Sequence, residues 1–342
     1  MHNNILKNNS TSNPYYIHAA PYINTSAGVR ALHLLCHHLN LKGYPSFIAP
    51  ILKDYYYKTN PNLITPVVTE EVVNLHKQAG KNPIVVYPDI AKGNPLNAKC
   101  VVRYLLHYAG FLGGDSSFAK EDLMFTYTKK IGQKLVGRES EVLFMPICNT
   151  DIFYPPKSQE TRKGSCFYAS KYRALHKEAF PGTALSDFPK DSIEITRDLT
   201  NSQTTAEVAD LLRSSEYFYT YEDTSLITEA ILCGCPVVLV KNKFFTDEPL
   251  ATYELGNEGC TSDLDPKNLE IARESIPIAQ QKFFAAVENF WIQLDNFISA
   301  TQELSLKSDG SECNITLIKR IKKTVPLGRV IKKKLKNYLK KF

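Results

Sequence analysis

The sequence predicts an α/β protein built from two doubly wound parallel sheets, and three observations support this prediction. Short β-rich runs alternate with helical segments through both halves of the chain, which is the pattern of βαβ units. The run IVVYPDI at 84–90 is almost continuously apolar, as expected of a central parallel strand buried on both faces. The chain of 342 residues is long enough for two domains of ordinary size.

The N-terminal half alternates between strand and helix patterns from residue 15 onward. Strands are predicted at 15–19, 46–49, 84–90, 123–128 and 142–147, and helices at 31–41, within 63–79 and at 96–108. Gly43 follows the first helix in the position where many helices end. A Gly-rich turn at 110–114 follows the last of these helices.

The C-terminal half begins after a segment at 149–164 that is rich in proline and charged residues, as is typical of an interdomain linker. Beyond it we predict strands at 165–169, 193–196, 217–219 and 237–240, and helices at 205–214, at 224–233 and over 268–304. These elements give an N-terminal domain over 1–155, a second domain over 156–305 and a basic tail over 306–342.

Composition favours a soluble, reduced protein. The chain is 43% hydrophobic and 22% charged, which is ordinary for a globular domain. No apolar run approaches the length of a membrane span, and the polar first residues lack the apolar core of a secretory signal. The eight cysteines are scattered without a Cys-x-x-Cys pair, so cytosolic thiols are expected rather than a zinc site or a disulfide framework.

The basic charge is concentrated in the tail. Residues 318–342 contain eleven Lys or Arg and no acid, although the net charge of the whole chain is only +6. The rest of the chain is therefore net acidic. This asymmetry predicts an anionic partner for the tail alone.

The last residues, VIKKKLKNYLKKF at 330–342, have the pattern of an amphipathic basic helix. One helical stripe carries the apolar residues Ile331, Leu335, Tyr338, Leu339 and Phe342, and the opposite face is almost wholly lysine. Such a helix lies in the interface of an anionic membrane. A solvated tail and a nucleic-acid-binding tail are the alternatives, and the apolar stripe counts against both because phosphate binding needs charge alone.

The first candidate site follows the first strand. Ser26, Ala27 and Gly28 are small residues before the first helix, where the backbone can approach a ligand and the helix N-terminus attracts an anion. A simple N-cap is the alternative reading. The full Gly-x-Gly-x-x-Gly fingerprint is missing, so a dinucleotide oxidoreductase is not supported.

The second candidate site follows the apolar strand at 84–90. Asp89 lies at its carboxyl end, where α/β enzymes place working residues. Asn94 is part of the loop that follows. Arg103 is predicted within helix 96–108, with His107 at i+4, and a solvated helix face is the plainer interpretation of that pair.

The third candidate site follows strand 165–169. Ser170 continues a small-residue loop, and Lys171 and Arg173 open the next predicted helix. Cations are disfavoured at a helix N-terminus unless an anion lies between them, so a bound diphosphate would explain their position. An exposed surface lysine is the alternative.

The fourth candidate site lies in the segment EYFYTYEDTSLITEAILCGCPVVLV at 216–240, which reads as one βαβ unit. Glu222 and Asp223 form an acidic turn, and Thr224 and Ser225 are suited to cap the following helix. Glu229 lies inside that helix among apolar neighbours. A helix-surface carboxylate is the alternative interpretation of Glu229.

These motifs together resemble the GT-B glycosyltransferases, particularly the family 4-like bacterial enzymes of polysaccharide and lipopolysaccharide synthesis. The resemblance spans about 15–240, and its most specific parts are 26–30, 93–103 and 224–238. It implies two Rossmann-like domains facing across a cleft, the N-terminal one binding the acceptor and the C-terminal one binding a nucleotide-sugar donor.

The resemblance also implies roles for single residues. Glu229 would bind the ribose and Lys171 the diphosphate, while Arg103 would lie on the acceptor side. The family commonly has a second Glu eight positions earlier, but Tyr221 stands there in this chain. Glu222 or Asp223 would have to serve from a shifted loop.

The predicted function is therefore transfer of a sugar from a nucleotide-sugar to a glycan or lipid-linked acceptor, on the cytoplasmic face of the cell membrane. No metal site, cofactor or nucleic-acid partner is expected, and lysines, arginines and helix dipoles would neutralise the leaving diphosphate. Two rival functions remain: a nucleotide-sugar epimerase of the same fold, and an inactive membrane-surface protein that binds glycans or nucleotides.

Overall fold

The computed structural model describes residues 12–51, 57–157, 161–169, 191–197, 202–242, 248–307 and 315–317. The chain divides into two compact units. Unit 1 comprises residues up to Pro146 together with those from Asn289 onward, and unit 2 comprises Ile147–Glu288.

Unit 1 is built on a six-stranded sheet in which every pair of neighbours is parallel, in the order β2-β1-β3-β4-β5-β6. The strands are β1 (Tyr15–Ala19), β2 (Ser46–Pro50), β3 (Ile84–Pro88), β4 (Cys100–Leu105), β5 (Leu123–Thr126) and β6 (Glu141–Val142). The helices of its N-terminal part are α1 (Ala27–Leu41), α2 (Glu70–Gln78) and α3 (Lys129–Gln133). All residues of β1, β3 and β4 are buried, and the order reverses between β1 and β3.

The predicted helix at 96–108 is wrong, because these residues contain strand β4. Val102 pairs with Val86 of β3 and with Leu123 of β5, so the strand is covered on both edges. A short run of β-branched and aromatic residues buried on both faces is better satisfied in a sheet than in a helix. Arg103 and His107 therefore do not share a helix face.

In the described part of unit 2, five parallel strands form a sheet in the order β11-β10-β9-β7-β8. The strands are β7 (Ser165–Tyr168), β8 (Ile193–Glu194), β9 (Tyr217–Thr220), β10 (Val237–Leu239) and β11 (Cys260–Thr261). The described helices up to Glu274 are α4 (Thr205–Ser214), α5 (Leu226–Leu232), α6 (Thr252–Leu255) and α7 (Pro266–Glu274). The order reverses between β7 and β9, and the prediction of two doubly wound α/β units is confirmed.

The last helix among the described residues, α8 (Ile276–Lys307), starts in unit 2 and continues into unit 1. In unit 1 the ring of Phe297 packs on Tyr15, with 6.0 Å between centroids, and on Phe125 at 4.8 Å. The Tyr15 hydroxyl lies 2.7 Å from Thr301 Oγ1. Residues from 289 onward therefore group with the first unit and not with the second domain predicted over 156–305.

The chain that follows α8 is described only at 315–317, where Ile315 and Leu317 pack on the apolar cluster of unit 1. The basic tail and its amphipathic stripe lie outside the described residues. Within the described part of the chain, no helix has the length and apolar character needed to cross a membrane.

Candidate functional site

The carboxyl edge of the unit 1 sheet holds a buried carboxylate at the point where the strand order reverses. Asp89 directly follows β3 and is 3% exposed. Its Oδ1 accepts a hydrogen bond from the Leu106 backbone N–H at 3.0 Å. Its Oδ2 is buried and has no hydrogen-bond partner among the described residues.

Burial controls the ionisation of Asp89. It raises the pKa of this carboxyl group to about 6, and nearby backbone N–H groups, that of Leu106 first, offset part of the rise. Low dielectric surroundings disfavour the charged form of an acid, which gives the direction of the change. A carboxyl group with such a pKa can take up a proton near neutral pH, as a general base must.

The Gly-rich turn at 110–114 packs against Asp89. A methyl group added to Gly114 would lie 1.7 Å from the Asp89 carbonyl oxygen, so only glycine fits there. Gly110 and Gly113 have φ angles of 76° and 87°, in the left-handed region that other residues avoid. The glycines therefore allow the turn to cover the end of β3.

The start of α1 lies beside the segment that binds Asp89. Ser26 caps the helix by accepting a hydrogen bond from the Val29 N–H at 3.5 Å, so the predicted capping is confirmed. Ala27 and Gly28 are the first helical residues, and a methyl group on Gly28 would lie 3.5 Å from the Leu106 side chain. The structure therefore brings the first and second candidate sites to one edge of the sheet.

Arg103 makes contacts inside the protein and is 4% exposed. Its Nε donates to Asp122 Oδ2 at 2.6 Å, and its guanidinium lies 5.1 Å from the ring centroid of Tyr87 and 5.3 Å from that of Phe118. The solvated-face interpretation is therefore wrong. Its role in acceptor binding stays a prediction, and these contacts explain its position without one.

Asn94 is also engaged within the fold. Its Oδ1 accepts from the Tyr87 hydroxyl and from the Ala98 N–H, both at 2.8 Å, and its Nδ2 donates to the Ala98 carbonyl at 2.7 Å. These bonds close the loop before β4. Binding of an acceptor by Asn94 likewise stays a prediction.

The carboxyl edge of the unit 2 sheet contains a buried ion pair. Glu229, on α5, is 0% exposed, and its Oε2 accepts a hydrogen bond from Arg197 Nη2 at 2.6 Å. Ser225 Oγ donates to Glu229 Oε1 at 3.4 Å and accepts from Arg197 Nη1 at 3.4 Å. The interpretation of Glu229 as a surface carboxylate is wrong, because the apolar side of α5 carries it into the fold.

The loop before α5 is held by its polar side chains. Asp223 Oδ2 accepts from the Leu250 N–H at 2.6 Å, and Thr224 Oγ1 accepts from the Leu226 N–H at 3.3 Å. The Glu222 N–H donates to Thr220 Oγ1 at 3.3 Å. Ser225 occupies the N-cap position without a capping bond, since its side chain bonds to Glu229.

Three predicted donor-binding residues, Ser170, Lys171 and Arg173, lie outside the described residues. Ala169, which precedes them, is 1% exposed at the end of β7. The structure therefore describes the end of β7 up to Ala169, directly before the predicted phosphate-binding loop.

Arg197 is a candidate that the sequence analysis missed. It follows the two-residue strand β8, and its side chain is 12% exposed. A basic residue just after the strand predicted at 193–196 was the available signal, but the sequence alone assigns it no partner. Its partner Glu229 is 32 positions away in sequence, so no local pattern joins the two.

Two of the described histidines, His18 and His33, are buried and form hydrogen bonds within the fold. His18 lies on β1 and His33 on α1, both buried, and burial lowers the pKa of His18 to about 4 and also lowers that of His33. Their rings bond to backbone carbonyls of Ala49 and Ala20. Among the described residues, no group of three or more His, Cys, Asp or Glu side chains is arranged to hold a metal ion.

No protein-family model matches this sequence. No curated protein matches it either.

Three solved structures illustrate what the fold is similar to. Os79 from O. sativa, in complex with UDP, is 10% identical with a TM-score of 0.47 over 84% of this chain and 100% of that one. AviGT4, a glycosyltransferase involved in avilamycin A biosynthesis, is 12% identical with a TM-score of 0.45 over 86% and 98%. The spinosyn rhamnosyltransferase SpnG, complexed with thymidine diphosphate, is 13% identical with a TM-score of 0.37 over 85% and 98%. Similarities this weak carry no inference about the activity of this chain.

Proposed function

We propose that this protein is a GT-B glycosyltransferase that moves a sugar from a nucleotide-sugar donor to a glycan or lipid-linked acceptor. The observation that carries the proposal is Asp89, a carboxyl group with a pKa raised to about 6 at the reversal point of a parallel sheet. Ligands of open α/β sheets bind at such points. The resemblance of the segment at 216–240 to nucleotide-sugar motifs supplies the class of donor.

Asp89 would act as the base in this reaction. The acceptor hydroxyl oxygen attacks the anomeric carbon, the bond from that carbon to the diphosphate breaks with its electron pair, and the hydroxyl proton passes to Asp89 Oδ2. Oδ1 stays bonded to the Leu106 N–H and fixes the orientation of the carboxylate. Because Oδ2 is buried, the acceptor must displace part of its cover before the proton can move.

The second unit would bind the donor without a metal ion. Lys171 and Arg173 would neutralise the negative charge that develops on the leaving diphosphate, which is the electrostatic form of catalysis. Glu222 and Asp223 would approach the donor sugar, and Thr224 and Ser225 the nucleotide. Glu229 is 0% exposed and bonded to Arg197, so a ribose hydroxyl could reach its carboxylate only if the side chains around it moved aside.

Release of nucleotide from a panel of UDP-, GDP- and dTDP-sugars, with glycan acceptors present, tests the function. We expect one donor to release its nucleotide while the acceptor gains the mass of one sugar. Lys171→Ala should lower this rate by roughly two orders of magnitude or more, since it removes a charge-assisted contact to the leaving group, with no loss of folding. Nucleotide binding without transfer would instead identify an inactive binding protein, and conversion of the donor to its C2 epimer would identify an epimerase.

We also propose that the enzyme works in cell-surface polysaccharide synthesis, held on the inner face of the cell membrane by its tail. The six lysines of 330–342 would each contribute roughly 1 kcal/mol on an anionic surface, and the apolar stripe would insert between the lipids. The tail would be an anchor and would take no part in the chemistry.

Co-sedimentation with vesicles tests the anchor. The full chain should sediment with anionic vesicles and be released at about 1 M salt, where the Debye length is only about 3 Å, whereas a chain lacking 330–342 should remain in the supernatant and still transfer sugar to a soluble acceptor. A control chain with Ile331, Leu335 and Leu339 changed to serine keeps every lysine and should bind weakly. Equal sedimentation of the full and truncated chains would rule the tail out as the anchor.

A further inference from the structure

Arg197 and Glu229 form an ion pair that leaves some N–H donors of the Arg197 guanidinium available to bind a ligand. Glu229 is completely buried, whereas the Arg197 side chain keeps 12% exposure. The guanidinium donates from Nη2 to Glu229 and from Nη1 to Ser225. A guanidinium carries further N–H donors in a rigid plane, and among the described residues no other acceptor is bonded to them.

The pair spans the reversal point of the unit 2 sheet. β8 and β9 flank β7 on its two sides. Arg197 follows β8, and Glu229 belongs to α5, which follows β9. The bond between them therefore joins the segments on either side of the carboxyl end of β7, where an open α/β sheet receives its ligand.

We propose that Arg197 binds the diphosphate of the nucleotide ligand, and that Glu229 is a positioning residue that holds Arg197 rather than a ligand of the ribose. The inference rests on the proposed function, which supplies the nucleotide. A planar guanidinium fits two oxygens of a phosphate at once. A carboxylate behind it fixes the plane in advance, so less side-chain freedom is lost when the phosphate binds.

The buried position of Glu229 favours this role over ribose binding. Each carboxylate oxygen can accept a further hydrogen bond, but Glu229 is 0% exposed, so a ribose hydroxyl could reach it only by moving aside side chains that surround it, such as Arg197 on Oε2 or Ser225 on Oε1. Displacing Arg197 would leave a mostly buried cation without its counter-charge, which is strongly unfavourable. Phosphate binding at the outer edge of the guanidinium needs no such exchange.

Calorimetry with three probes tests the inference: a nucleoside, its diphosphate and inorganic pyrophosphate. Arg197→Gln should weaken binding of the diphosphate and of pyrophosphate roughly tenfold to a hundredfold, because a charge-assisted contact is lost, and should leave nucleoside binding within about twofold. Glu229→Gln should weaken the same two probes in the same direction and again spare the nucleoside. Arg273→Gln is the matched control, since Arg273 forms an exposed ion pair with Glu270 in the same unit.

The double variant Arg197→Gln with Glu229→Gln guards against misfolding, since it leaves no unpaired buried charge. It should fold and should lose diphosphate affinity as the single arginine variant does. Wild-type affinity in the double variant would overturn the inference. A Glu229→Gln variant that weakens nucleoside and diphosphate equally would also overturn it, by identifying Glu229 as the ribose ligand.

The same titrations separate this inference from the proposed function. Wild-type protein that binds pyrophosphate through Arg197 but neither nucleoside nor diphosphate would refute a nucleotide-sugar donor and leave the anion site standing. Wild-type protein that binds the diphosphate with no change in Arg197→Gln would refute the anion site alone. Tighter binding in Glu229→Gln would refute the positioning role, because it would mean that the carboxylate repels the phosphate.

Discussion

Replacing Asp89 with asparagine is expected to make the protein more stable and to slow sugar transfer strongly. The folded-state pKa of about 6 lies above the ordinary value of 3.8, so ionised Asp89 opposes folding. The penalty is fully present above pH 6 and is relieved as the pH falls through 6 toward 4, because the folded protein then binds a proton that the unfolded chain does not. Asparagine never carries the charge.

We expect Asp89→Asn to raise the free energy of unfolding at pH 8 by about 1–2 kcal/mol, less than the whole ionisation penalty because the new amide N–H group is also buried. Wild-type stability should increase between pH 6 and pH 4 relative to the variant, and the two should converge at low pH. Urea unfolding across this range measures both effects. A variant that is less stable than wild type at pH 8 would contradict the burial argument.

Transfer should fall by about two to four orders of magnitude in the same variant, since a general base typically contributes that much. In the wild type, kcat/KM should decrease below an apparent pKa near 6. Asp115→Asn is the matched control, because its carboxylate lies in the same region, is partly exposed and accepts a hydrogen bond from the Gly93 N–H. Normal transfer by Asp89→Asn would remove Asp89 from the mechanism.

The position of Asp89 could be predicted because the signal is local. Five consecutive residues of β3 are buried, so the strand appears in the sequence as an uninterrupted apolar run, and the first polar residue marks its carboxyl end. Its burial could not be predicted. That depends on the turn at 110–114 and on the Leu106 N–H, which come from later in the chain.

The sequence predicts a helix in place of strand β4 for a related reason. A short apolar run with one arginine is compatible with either structure, and the choice is decided by neighbours on both sides, β3 and β5. Because Arg103 pairs with Asp122, it is a buried cation and not the solvated one that the sequence pattern favours. No local sequence pattern predicts the pairing of Arg103 with Asp122.

The grouping of α8 shows the same limit at the level of domains. The spacing of its apolar residues predicts an amphipathic helix but does not determine which of the two sheets the helix covers. Phe297 and Thr301 assign its second part to unit 1 through contacts with Tyr15, which lies near the opposite end of the sequence. Contacts between distant parts of the chain, such as these and the Arg197–Glu229 pair, are what the sequence alone left undetermined.

Replacing Arg103 with methionine is expected to cause the largest loss of stability, about 3–5 kcal/mol, because it leaves the Asp122 carboxylate buried without its counter-charge. Asp122 is 7% exposed, so water cannot take over the role of the guanidinium. Neutralising both partners, as Arg103→Met with Asp122→Asn, should recover most of the loss. Urea unfolding of the two single variants and the double variant gives the coupling between them.

Lys42→Met is the matched control for this loss, since Lys42 pairs with Asp295 at 2.7 Å on the surface of the same unit, and exposed pairs contribute about 0–1 kcal/mol. The comparison also decides between two roles for Arg103. A residue that only contacts the acceptor would raise KM when replaced and leave the unfolding free energy near that of the control. Because Arg103 has Asp122 bonded to its Nε and aromatic rings of Tyr87 and Phe118 within 5.3 Å, we expect stability to fall first, and KM to return toward wild type in the double variant.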